Sequence, residues 1–313
     1  MKFSEILEIR NGKNQRNVEN PNGKYPIYGS GGRIGWADDY ICPADTVIIG
    51  RKGTINSPIY VDTPFWNVDT AFGLVPDTKI ILPKYLYYFC RSFDFEALNT
   101  TVTIPSLTKA NLLQIEMDVP SLKKQQAVVE TLDVIETILS LVQKQIASLG
   151  QLVKSRFIEM FGDPVTNPMG WRQEVLGNIC NVGSSKRIFE REYVDEGIPF
   201  YRTKEIVELS KGNPISTGLY ISYERFGEIK EKYGVPMKND LLVSAVGTIG
   251  IIWVVDGQQD FYFKDGNLLR ILASPKFNSI YMKFLLECLI DNFKQSMSAG
   301  TAYAALTIDA VKR

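Results

Sequence analysis

The chain repeats itself, and that repeat restricts its fold more than any other feature. Phe3, Ser4, Glu5 and Ile6 align with Leu176, Gly177, Asn178 and Ile179 at an offset of 173. The same offset lays Tyr25, Pro26, Ile27 and Tyr28 on Ile198, Pro199, Phe200 and Tyr201. Gly53, Thr54 and Ile55 match Gly247, Thr248 and Ile249 at an offset of 194, so the second copy carries about 21 extra residues between Arg202 and Asp240. Tyr85 and Leu86 then match Tyr281 and Met282, and Leu107 and Thr108 match Leu306 and Thr307. Each match is weak alone, but their order is kept throughout, which marks a tandem duplication. A length of 313 residues suits two domains built on one plan.

Within each copy the apolar runs are short and β-branched, as at residues 46–49 and 241–246, and are bounded by Gly, Pro, Asn and Asp. They read as strands. Apolar spacing of three or four residues predicts helices over 84–98 and 279–297. Each copy is therefore expected to be a mixed α/β (α+β) domain.

Between the copies, Val128, Leu132, Ile135, Leu139, Val142, Ile146, Leu149 and Val153 step alternately by four and three. This a/d heptad seam predicts a long helix over 121–161, started near Pro120 with Ser121 as N-cap and stopped by Gly162 and Pro164. At about 1.5 Å per residue such a helix is roughly 60 Å long. Its stripe, narrower than a domain-packing helix normally shows, calls for a partner helix. A full second copy would bring one of its own. The sequence ends at Arg313, near the position equivalent to 109–113 and before a segment matching 117–161, so the partner helix is expected from elsewhere.

Composition removes several classes of function. There is no histidine, which excludes Ser/His/Asp and Cys/His triads and most catalytic zinc sites. Cys42, Cys90, Cys180 and Cys288 are far apart and form no CxxC pair, so they are expected to be small buried hydrophobes rather than metal ligands or disulfides. The longest apolar stretch, 245–255, is broken by two glycines and is too short to span a bilayer, and Glu5 and Glu8 interrupt any leader-like start. A cytoplasmic location is expected. With 35 basic and 35 acidic side chains, any nucleic-acid contact must come from local patches.

The glycine run 29–35 departs from the dinucleotide-loop spacing and leads into Trp36-Ala-Asp-Asp rather than a helix. Asn167-Pro-Met lacks the second proline and aromatic residue of an adenine methyltransferase motif, and Pro76, Asp77 and Lys79 lack the rest of a nuclease signature. The run Ile48-Ile-Gly-Arg-Lys-Gly-Thr-Ile is more informative. It puts Arg51, Lys52 and exposed amides on one turn, a combination suited to a phosphate, with a solvated hairpin turn as the plain alternative. The second copy has Ala245 and Val246 there, so the copies cannot make identical contacts. The other candidate DNA contacts near glycines or turns are Lys13, Arg16, Lys24 and Arg33, then Lys186, Arg187, Arg202 and Lys204. Singly, each is also an ordinary surface charge.

Together these segments resemble the specificity subunits of Type I restriction-modification systems. The resemblance is carried by Tyr25-Pro-Ile-Tyr-Gly-Ser-Gly-Gly, the Ile48 run, Pro64-Phe-Trp-Asn-Val-Asp-Thr-Ala-Phe, Ile104-Pro-Ser-Leu-Thr, Val119-Pro-Ser-Leu-Lys-Lys-Gln and Met160-Phe-Gly-Asp. It covers nearly the whole chain. It implies a target recognition domain over 1–120, a conserved coiled-coil helix over 121–161, a linker over 162–170 and a second recognition domain over 171–313. Each domain would read half of a split double-stranded DNA target, and the helix length would set the gap. The resemblance further implies a noncatalytic chain, with S-adenosylmethionine carried by two modification subunits and ATP with Mg by restriction subunits. Set against the family pattern, the absent second helix leaves two expectations: a shortened chain, or two chains pairing their single helices. A scaffold that recruits modification subunits without reading DNA is the alternative function.

Overall fold

The computed structural model describes residues 1–99, 105–216, 218–297 and 305–313. Ile104 of the Ile104-Pro-Ser-Leu-Thr string lies outside them. The chain divides into two compact units, Met1–Ile146 and Ala147–Arg313, with the boundary inside the long helix.

The first unit runs α1 (Phe3–Ile6), β1 (Leu7–Asn11), β2 (Tyr25–Gly29), β3 (Gly32–Ala37), β4 (Thr46–Gly50), β5 (Ile59–Val61), β6 (Trp66–Asn67), β7 (Ala71–Pro76), α2 (Pro83–Ser92) and α3 (Lys109–Leu113), and then enters α4 (Leu122–Phe161). One antiparallel sheet has the order β1-β7-β4-β5, and a smaller one β3-β2-β6, in which β2 and β6 are parallel. The central strand β4 is buried on both faces, which its β-branched run makes possible. Val47 and Ile49 join the core beneath α1 to α3, while Ile48 packs with Cys42, Val61, Phe65 and Ala71 between the sheets. The helix predicted over 84–98 stops at Ser92. Phe93 and Asp94 are extended, and Phe95–Leu98 forms a separate 3-10 turn, with Asp94 accepting from the Glu96 amide. Apolar spacing continues through this break because Phe95 is still buried, so periodicity alone could not show it.

The second unit takes up the end of α4 and continues α5 (Leu176–Ile179), β8 (Val182–Gly183), β9 (Tyr193–Val194), β10 (Ile198–Tyr201), α6 (Thr203–Ser210), β11 (Tyr220–Ile221), α7 (Tyr223–Tyr233), β12 (Leu241–Ser244), β13 (Ile252–Val254), β14 (Tyr262–Phe263), β15 (Leu268–Ile271), α8 (Ser279–Met297) and α9 (Ile308–Lys312). Its sheets have the orders β13-β12-β15-β8 and β14-β10-β11-β9, again with one parallel pair, β10 with β14. The duplication is therefore visible in strand order. β1, β7, β4 and β5 correspond to β8, β15, β12 and β13, and the pairing Ile27 to Trp66 corresponds to Phe200 to Tyr262. Leu241 and Val243 face one core and Leu242 another, as in β4. The extra length is two helices. α6 lies between β10 and β11, and α7 lies between β11 and β12.

Helix α4 has the predicted length, and the Ser121 carbonyl accepts from the Lys124 and Gln125 amides at its start. Gln125 is fully buried. Its Oε1 accepts from the Leu82 amide, and its Nε2 donates to the carbonyls of Ile80 and Pro120 at 2.8–2.9 Å. Those bonds fasten the helix start to the first unit, and leaving such a buried group unpaired costs about 1–3 kcal/mol. In the second unit, Phe157 is buried against Tyr281 and Phe284 of α8. Along the predicted seam, Leu132 is half-buried, and Val128, Ile135, Leu139, Val142, Ile146, Leu149 and Val153 are exposed. The uncovered apolar face is wider than the seam predicted, because Val134, Ile138, Leu141 and Leu152 are exposed beside it.

Candidate nucleic-acid interface

The basic loops of the first unit hang on one short segment, residues 66–71. The Gly12 amide donates to the Ala71 carbonyl at 3.2 Å, and the Lys13 amide to the Asn67 carbonyl at 2.9 Å. The Val68 amide donates to Tyr28 at 2.9 Å, and the Arg51 amide to the Thr70 carbonyl at 2.7 Å. Trp66 adds its indole N–H to the Lys13 carbonyl at 3.0 Å. Only glycine fits at position 12, where a Cβ would lie 1.8 Å from the Val68 oxygen. At the base of this arrangement Asn67 is buried, accepting from Cys42 Sγ at 3.3 Å and donating to the Ala71 carbonyl. Burial pushes the Cys42 thiol up to about 12, so it stays protonated and unreactive.

The predicted contacts fall into three groups on this frame. Arg51 and Lys52 are exposed in the turn after β4, and the Arg51 guanidinium lies 5.8 Å from the Phe72 ring centroid. The turn is not a loose hairpin. The Leu107 amide donates to the Arg51 carbonyl at 2.9 Å, Gly53 donates to Pro105 at 3.0 Å, and Gly53 has φ +79°. The tip of the β2–β3 hairpin approaches it, with Ser30 Cβ 3.1 Å from where a Cβ on Gly50 would lie. Lys24 and Arg33 form the second group, on the hairpin itself. They lie over the rings of Tyr25 and Trp36 at 5.5 and 5.1 Å, and line a cleft of about 330 Å³ with Thr63 and Pro64. Lys13 and Arg16 form the third, exposed on the loop after β1.

The second unit repeats this frame with residues 261–268. The Lys264 amide donates to Tyr201, the Ala245 amide to Asn267, and the Leu306 amide to Ala245, all at 2.8–2.9 Å. The last two reproduce the bonds of Arg51 to Thr70 and of Leu107 to Arg51, so Ala245 stands where Arg51 stands. Ser184 Oγ donates to the Leu268 carbonyl at 2.9 Å and accepts from the Gly266 amide. The Lys186 amide donates to the Tyr262 hydroxyl at 2.6 Å, and burial raises the pKa of that phenol. Trp66 and Tyr262 are thus matched aromatic anchors for the backbone of Lys13 and Lys186, two exposed lysines at equivalent positions.

The other second-unit candidates are partly engaged. Arg187 pairs with Asp265 at 2.7 Å and stays largely exposed. Arg202 pairs at 3.1 Å with Glu205, whose buried carboxylate caps α6. Lys204 is exposed in the first turn of α6. Sequence reading passed over Tyr233 and Lys232 of α7, which lie beside Lys186. The length difference between the copies was the available signal for them. It located an insertion without giving its fold.

Residues 1–151 and 168–313 match the family described as the Type I restriction modification DNA specificity domain. The chain belongs to that family. It is 28% identical over 258 residues to a Haemophilus influenzae protein provisionally named a type I restriction enzyme specificity subunit, an alignment covering 80% of this chain and 65% of the relative. It is 23% identical over 282 residues to the type I restriction enzyme EcoBI specificity subunit of Escherichia coli, covering 79% of this chain and 56% of that protein. The chain thus spans less than two thirds of the length of these relatives. The crystal structure of a type I restriction-modification system S subunit from M. genitalium aligns over 100% of this chain and 82% of its own, with a TM-score of 0.53 at 17% identity, which shows a shared fold. Among the described residues, no helix is long and apolar enough to cross a membrane.

Proposed function

We propose that the chain reads double-stranded DNA sequence for a Type I restriction-modification assembly, each unit taking one half of a bipartite target. One observation carries this reading: the two units hold exposed basic loops on the same hydrogen-bonded frame but present different side chains from it. Lys13 and Lys186 keep equivalent places, where phosphate contacts set register. Arg51 and Lys52 give way to Ala245 and Val246, so the half-sites differ. Arg16, Lys24, Arg33, Arg187, Arg202 and Lys204 are the further contacts in this reading. With zero formal net charge, binding rests on these local groups and on base edges in the major groove.

In this proposal the chain is noncatalytic and acts in the cytoplasm. Two modification subunits supply S-adenosylmethionine chemistry, and restriction subunits supply the ATP- and Mg-dependent steps. The uncovered apolar face of α4 supports pairing with another helix, and a second copy of this chain offers one of equal length. Footprinting of the chain assembled with its modification subunit tests the reading. Two protected half-sites separated by a weakly contacted spacer are expected. A single continuous site, or no protection, overturns it and favours a scaffold.

A further inference from the structure

The two-helix insertion of the second unit ends in a surface cluster that has no counterpart in the first. α7 lays Phe226 and Ile229, with Val235 just beyond it, into a small core shared with Ile188, Phe200, Ile221 and Tyr262. Ile188 belongs to the loop that carries Lys186, and Tyr262 is the ring that anchors that loop. One core therefore fixes both the end of α7 and the matched lysine. At the end of the helix Gly234, with φ +74°, turns the chain away and leaves Tyr233 half exposed, at 49%. Two ammonium groups from separate segments converge on its ring. Lys232 Nζ lies 5.5 Å and Lys186 Nζ 5.6 Å from the centroid.

Complementarity to the helix dipole accounts for Lys230 and Lys232 in the last turn of α7. It does not account for Lys186, which comes from the loop after β8. The basic neighbours of Lys186 and Lys232 are paired, Arg187 with Asp265 at 2.7 Å and Lys230 with Asp260 at 3.8 Å. Among the described residues neither Lys186 nor Lys232 has a carboxylate partner. Two exposed cations left unpaired around an exposed aromatic ring form a seat for an anionic strand, with charge for phosphates and a flat face for sugar or base.

We propose that Lys186, Lys232 and Tyr233 form an additional DNA-backbone contact specific to the second unit, so that its half of the target is gripped over a longer stretch than the first. This rests on the DNA-reading function proposed above. The insertion extends the lysine position that both units share, rather than creating a separate site.

The test is a salt titration of binding to a fluorescent duplex of mixed sequence, with the full chain alone and assembled with the modification subunit. The slope of log affinity against log salt is expected to fall by roughly 0.9 for each lysine removed, hence by nearly two in Lys186→Ala/Lys232→Ala. Tyr233→Ala is expected to weaken binding several-fold, and Tyr233→Phe to leave it unchanged. In footprints the loss should appear at one half-site only. If the parent chain binds and the double variant keeps its slope, the contact is overturned while the DNA-reading function stands. No binding by the parent chain in either form overturns both.

Discussion

Lys13 and Lys186 owe their matched positions to two buried aromatic side chains. Trp66 and Tyr262 each bond the loop backbone at the lysine, so the charge is presented from an ordered loop rather than a mobile one. Arg51 and Lys52 have similar support, because the bonds of Gly53 and Leu107 fix the turn from the far side. Replacing both with Ala is expected to lower the salt slope of duplex binding by roughly two and to leave stability nearly unchanged, since both are exposed. An unchanged slope in that titration removes the turn from the interface. The sequence marked these residues by charge beside glycine, but it could not show which charges are already paired. Arg202 and Arg187 looked like Lys186 in the sequence, and only the fold brings Glu205 and Asp265 against them. Tyr233 was illegible for the converse reason: its importance lies in Lys186, far away in the chain.

At the scale of the element, the two ends of α4 dock by different chemistry on equivalent helices. α2 meets it through Tyr88 and Lys84, each 2.6 Å from Asp133, and through Arg91 paired with Glu136. On α8 the position equivalent to Tyr88 is Phe284, which meets Phe157, and Lys154 pairs with Asp291 at 2.5 Å. The hydrogen bonds from Lys84 and Tyr88 hold the Asp133 carboxyl below its usual range. Its folded value is thus below the unfolded one of about 3.9, so its contribution is full above that value and lost as pH falls through the folded one. Stability of the first unit is expected to fall as the pH is lowered below about 4, and Asp133→Asn should flatten that fall in thermal melts taken across acid pH. A variant whose melts track the parent at each pH shows that the contact contributes nothing, the common fate of exposed pairs. The heptad made the helix plain in the sequence. These docking contacts were not legible, because polar side chains at helical spacing look alike whether they face water or a neighbour.

For the whole molecule, the strand orders bear out the duplication, and the apolar face of α4 stays exposed. Eleven large aliphatic side chains between Val128 and Val153, with Leu139 at 56% and Ile146 at 65% exposure, lie along a helix that Gln125 and Phe157 already fasten at its two ends. They are not needed to hold the helix to either unit, so their burial is free to drive association. Each contributes roughly 1.5–3 kcal/mol on full burial, and a matching set on a second helix outweighs the approximately 4–15 kcal/mol lost when two bodies join. The added width from Val134, Ile138, Leu141 and Leu152 leaves room for more than one helix on this face. Leu139→Lys/Ile146→Lys therefore separates the two roles of α4. The variant is expected to keep its helical circular dichroism and its melting transition, because the docking contacts at both ends are untouched. It is expected to lose self-association in sedimentation, where the parent chain is expected to run as a dimer. A parent chain that stays monomeric as its concentration is raised sinks pairing between copies, and recovery of a single complex with the modification subunit would then assign the face to that subunit.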